Sequence, residues 1–151
     1  MLDSDKTRMI LFHKHPVSAR MHFLHFQYDD RRTGVCAFKP LPKLASLVEN
    51  ASPDVIDRVT FHPALVQSWA EKQFSNNDVS LQIEPEFCEY VEIPNAEIVV
   101  YLAGVKGYEL PHTIMREYGA KFISLMECVG VAPVEMLLLR RAYGVIMGGQ
   151  S

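Results

Sequence analysis

The chain is 151 residues long, 48% apolar and 22% charged, a balance that excludes a disordered polyelectrolyte and suits one hydrophobic core. Its net charge of −3 comes with no basic stripe, which argues against a nucleic-acid binder. The polar opening Leu2-Asp3-Ser4-Asp5-Lys6 does not read as a signal peptide, and Glu135, Arg140 and Arg141 interrupt the longest apolar tract, 129–147, against a membrane span.

Cys36, Cys88 and Cys128 are odd in number and widely spaced, so neither a disulfide framework nor a zinc ribbon is expected. The expectation is a single soluble, cytoplasmic domain over 1–151 with reduced thiols. Charge is uneven along it. Residues 1–43 hold eight Lys or Arg against four Asp, whereas 44–105 hold ten acids against Arg58 and Lys72.

In chain order, Arg8 to His15 reads as a short strand stopped by Pro16. Arg20 to Tyr28 follows, with Leu24, Phe26 and Tyr28 on one face and Met21 and Phe23 on the other. The turn-rich segment Asp29 to Gly34 predicts a hairpin whose return strand is Val35 to Phe38. Pro42 to Asn50 is expected to form a short helix with Leu44, Leu47 and Val48 on one side. Ser52-Pro53 and His62-Pro63 are start signals for helices over Asp54 to Val59 and Ala64 to Phe74, the second burying Leu65, Trp69 and Phe74.

Val79 to Ile83, Phe87 to Ile93 and Glu97 to Ala103 read as three further strands, punctuated by Pro85 and Pro94-Asn95. The β-branched run Ile98 to Leu102 marks the last as central. Ile114, Tyr118, Phe122, Leu125 and Val129 form a helical stripe within 111–129. Ala132-Pro133 starts a final helix to Met147, apolar on nearly every side and solvated only at Glu135, Arg140 and Arg141. The sum is an α+β fold: an N-terminal hairpin region, middle helices, a group of three strands in a mixed or antiparallel sheet, and two C-terminal helices packed on it.

Four of the six histidines, His13, His15, His22 and His25, lie within thirteen residues. His13 and His15 are two apart on a predicted strand, so both imidazoles face one way, as a divalent metal site needs. This His-x-His resembles the first-strand pair of amidohydrolase-type metal enzymes, although no later His, Asp or Glu continues their pattern. Gly104-Val105-Lys106-Gly107 has the glycines and cation of a phosphate loop, but it is neither a Walker loop nor a dinucleotide turn, and a plain strand-to-helix turn explains it. Glu84, Glu86, Glu89 and Glu92 form an acidic stretch suited to a basic partner.

The leading expectation is a non-enzymatic binding or adaptor protein acting through protein–protein contacts at that acidic face. It needs no cofactor, and it self-associates through the C-terminal helices. The alternative is a small enzyme with a divalent metal on His13 and His15.

Overall fold

A computed structural model describes residues 4–28, 32–37, 39–48, 62–74, 79–107, 115–128 and 131–148. After a single 3-10 turn, Ser4–Lys6, strand β1 (Thr7–Lys14) runs antiparallel to β2 (Met21–Gln27). Alternation puts Leu24 and Phe26 on one face of β2 and Phe23 on the other, as the pattern predicts. β3 (Thr33–Gly34) pairs back onto β2, so a hairpin forms, but in a shortened version. The expected return strand does not continue along β2: Cys36 bridges instead to Ile10 of β1, and the Ala37 amide donates to the Met9 carbonyl at 2.7 Å. Phe38 lies outside the described residues.

The helix expected over Pro42 to Asn50 is corrected. Residues 43–44 form a turn, and β4 (Ser46–Leu47) pairs antiparallel with β5. Pairing onto an open sheet edge outweighs the weak local periodicity that suggested a helix. Asp54 to Val59 lies outside the described residues. Helix α1 (Pro63–Lys72) starts as expected at His62-Pro63, with His62 Nδ1 accepting the Ala64 amide at 3.1 Å. Phe74 is buried and Trp69 half-buried, but Leu65 is exposed. The face turned to the sheet is instead that of Val66 and Ala70.

Two of the three strands expected over 79–103 are one. β5 (Leu81–Ile93) runs through Pro85 and absorbs it in a register shift between Ile83 and Cys88. A proline donates no hydrogen bond to a ladder, and a bulge is where that loss is tolerated. The shift also changes which side the strand buries. Leu81 and Ile83 join one core cluster, while Phe87 and Val91 join the other. A turn at Pro94-Asn95, with Asn95 at φ +67°, leads into β6 (Ala96–Val105). β6 is central as predicted, parallel to β1 and antiparallel to β5. Its continuous apolar run is explained by burial on both faces: Val100 and Leu102 face one cluster, Tyr101 and Ala103 the other.

The helix expected over 111–129 is overturned from residue 117 onward, and 111–114 lie outside the described residues. Residues 115–116 are helical and 117–119 make a turn, β7 (Ala120–Ile123) pairs antiparallel with β2, and Leu125–Glu127 is a 3-10 turn. Gly119, at φ +72°, breaks the helical path, and its carbonyl accepts the Gln27 amide at 2.8 Å. Tyr118 and Phe122 still reach one core, which is why their spacing resembled a helix stripe. Ile114 and Val129 lie outside the described residues. The second expected C-terminal helix is present: α2 (Pro133–Gly148) begins at its proline as predicted.

The result is an α+β arrangement with a seven-stranded mixed sheet in the order β3-β2-β1-β6-β5-β4, β7 lying beside β2. α1 covers one face with Met9, Leu11, Leu24, Phe26 and Tyr101 beneath it. α2 covers the other through Leu138, Leu139 and Ala142, over Ile10, Phe12, Phe23, Val100 and Leu102. No helix among the described residues is long and apolar enough to cross a membrane.

Candidate functional site

β1 and β6 are the parallel pair at the middle of the sheet, and their carboxyl ends open together. Phe12 of β1 is the register partner of Gly104 of β6. A side chain at 104 would meet the Phe12 ring 3.0 Å from its Cβ, so glycine is what lets that ring lie across the neighbouring strand. Two residues further on, each strand ends in a cation: Lys14 on β1 and Lys106 just past β6, both exposed. Alternation places them on the same side of the sheet as Phe12 and Gly104.

The loop after β6 is held at two points. The Lys106 amide donates to the Ser80 carbonyl at 2.9 Å, and His13 Nε2 donates to the Gly107 carbonyl at 2.7 Å. Gly107 itself sits at φ +124°. Between these ends lies a cleft of about 330 Å³ lined by Phe12, Lys14, Gln82, Glu84, Lys106 and Ile146, among others. Partial burial, then the neighbouring Glu86, pushes the Glu84 carboxyl above its ordinary range, while Lys14 draws it back down. The cleft therefore combines two cations, one carboxyl and an apolar floor. Carboxyl ends of parallel strands are a favoured place for ligands because the connections leave room there.

The predicted metal residues separate. His13 is buried on the α1 face, edge-on to Phe122 with ring centroids 6.3 Å apart. His15 lies past the end of β1, where its Nδ1 accepts the amides of Val17 and Ser18 at 3.1 Å each. His13 is paired across the ladder with His22 rather than aligned with His15. His25 faces the opposite side of β2 and pairs with Lys121; burial first, then that lysine, lowers its pKa. Among the described residues no three His, Cys, Asp or Glu side chains are grouped as a metal site requires.

The predicted acidic residues also divide. Glu84 belongs to the cleft, and Glu86 is exposed beside it. Glu89 is drawn under α2, where Arg141 donates to its Oε2 at 2.7 Å. Glu92 lies at the far end of β5, opposite Glu97.

A second group of ionisable side chains is enclosed rather than open. Glu135, expected to solvate the last helix, is 4% exposed in the first turn of α2, with Oε2 buried and no hydrogen-bond partner for it. Burial pushes its carboxyl up to about 7, against the main-chain N–H groups of Val35 and Ala132, which favour the charged form. Nearby, the Tyr28 hydroxyl donates to the Cys36 carbonyl at 2.6 Å, and burial raises the Cys36 thiol well above its ordinary range. The buried Arg8 guanidinium donates to the carbonyls of Pro40, Asp5 and Thr7. A thiol so raised is a poor nucleophile.

Sequence reasoning had Lys106 and Glu84 in separate stretches and did not single out Lys14. The parallel register of β1 and β6 brings the two lysines together, and the antiparallel pairing of β5 with β6 adds Glu84. No protein-family model matches the chain, and no relative is found among curated proteins.

Proposed function

We propose that this chain is a binding protein that acts through protein–protein contacts, the first of them with a second copy of itself through the outward face of α2. One observation carries the reading: Leu137, Tyr143 and Met147 remain exposed at 41%, 40% and 38% on a helix whose inner side is already packed on the sheet. Gly144 lies on the same outward side with open space around it. Two α2 helices crossing antiparallel at Gly144 approach closely there. That crossing brings Arg140 of each against the last turn of the other, where a cation gains about 0.3–1 kcal/mol from the helix carbonyls. A two-fold contact of this kind closes on itself as a dimer.

The same reading places a basic partner at the β5–β6 turn. There Glu92 and Glu97 are directly opposite across the ladder beside a cleft that includes Leu44, which is 76% exposed. Two acids on one side of the sheet edge suit a partner of opposite charge.

Sedimentation equilibrium tests the self-association. The expected result is a dimer at roughly 10–50 µM that becomes monomeric in Leu137→Glu/Met147→Glu, with the circular dichroism spectrum unchanged. A wild-type chain that stays monomeric over that range overturns the reading.

A further inference from the structure

We propose that the cleft at the carboxyl ends of β1 and β6 binds a small organic carboxylate, its charged end between Lys14 and Lys106 and its apolar part over Phe12 and Ile146. This does not depend on the α2 contact. Four features support it.

The two lysines follow the Phe12–Gly104 register pair by two residues each, Lys14 at the end of β1 and Lys106 just past β6, and both line the one cleft; the strands that deliver them lie roughly 5 Å apart. Neither is held in an ion pair among the described residues. Two cations so placed repel, and an anion between them removes the repulsion. Glu84 limits the charge the cleft accepts: against the two lysines stand its own carboxyl in the lining and the exposed Glu86 beside it, which disfavours a dianion relative to a monoanion.

The lower part of the cleft is apolar. The Phe12 ring lies over Gly104, and Ile146 closes that side from α2. A free phosphate would leave this surface wet, whereas a carboxylate with a ring or short chain covers it. The volume of about 330 Å³ is at the small end of ligand sites. Finally, the rim is held in place: the His13–Gly107 bond and the Lys106–Ser80 bond tie the loop after β6 to its neighbours. A site whose walls do not reorder on binding keeps more of its contact energy.

Titration of the isotope-labelled full chain with sodium benzoate, followed by amide chemical shifts, tests this. Inorganic phosphate and uncharged benzyl alcohol serve as comparison probes. The expected result is saturable movement of the Lys14, Gly104 and Gly107 amides with a Kd near 1 mM. Phosphate and benzyl alcohol should bind at least about fivefold more weakly, and Lys14→Ala/Lys106→Ala should lose about tenfold for benzoate. Should that double variant fail to fold, Lys106→Met, at an exposed position past the strand end, should lose about threefold. Three results overturn the proposal: no saturable shift with benzoate, benzoate binding unaffected by the lysine substitutions, or phosphate binding as tightly as benzoate.

Discussion

Glu135 shows how much a single side chain can set. With its carboxyl pushed from 4.5 to about 7 by burial, the folded state holds a proton more tightly than the unfolded one does. The stability contributed by this group therefore falls as pH rises from about 4.5 to about 7 and is level above that. The full shift corresponds to at most about 3 kcal/mol. Glu135→Gln keeps an oxygen for the Val35 and Ala132 amides without the ionisation. Urea denaturation should find it more stable than the wild type by about 1–3 kcal/mol at pH 8, with little difference at pH 5. Gly34 is coupled to the same carboxyl, since a Cβ there would lie 2.5 Å from Glu135 Oε1. Gly34→Ala should cost about 2 kcal/mol in the same assay. In the sequence Gly34 looks like a turn residue and Glu135 like a solvating charge. Their dependence on each other spans 101 positions, and nothing local to either records it.

At the scale of the element, β7 and β5 carry the lesson. The spacing of Tyr118, Phe122 and Leu125 fits a helix, yet the segment is finished as an edge strand on β2. Its deciding residue is Gly119, whose φ of +72° a side chain tolerates poorly and whose added Cβ would lie 2.9 Å from the Gln27 carbonyl oxygen. Gly119→Ala should lower stability by about 2 kcal/mol, seen as a lower Tm in a thermal melt, because it adds a left-handed penalty to a backbone clash. Periodicity served well where an element buries one face or both from end to end, as with β2, β6 and α2. It failed at β5, where the Ile83–Cys88 shift turns the same odd-numbered positions from one core cluster to the other halfway along. The candidate cleft was hidden for a related reason. Lys14 closes an early strand and Lys106 follows a late one, and only their pairing makes them neighbours.

For the whole molecule, α2 has an inner and an outer role that adjacent residues separate. Leu138 is fully buried against the sheet, whereas Leu137 is 41% exposed. Leu138→Ala should cost about 2–4 kcal/mol in denaturant at any protein concentration. Leu137→Glu should change monomer stability by no more than about 0.5 kcal/mol, yet remove any rise of Tm with concentration. The α+β class, the central strand and the final helix were legible because each follows from a run of apolar residues. The sheet order was not, because it depends on which distant strands meet.

That order has a kinetic consequence. β1 pairs with β6 from Thr7–Val99 through Phe12–Gly104, so the middle of the sheet is sealed by partners more than ninety residues apart. Closing so long a loop precedes any reward from the contact, which favours refolding in milliseconds to seconds rather than microseconds. During synthesis at about 5–20 residues per second, β1 and β2 wait several seconds beside the ribosome before β6 emerges. Through that interval the apolar edge of β1 that β6 will cover stays unpaired, and an unpaired apolar strand edge is open to pairing with other chains.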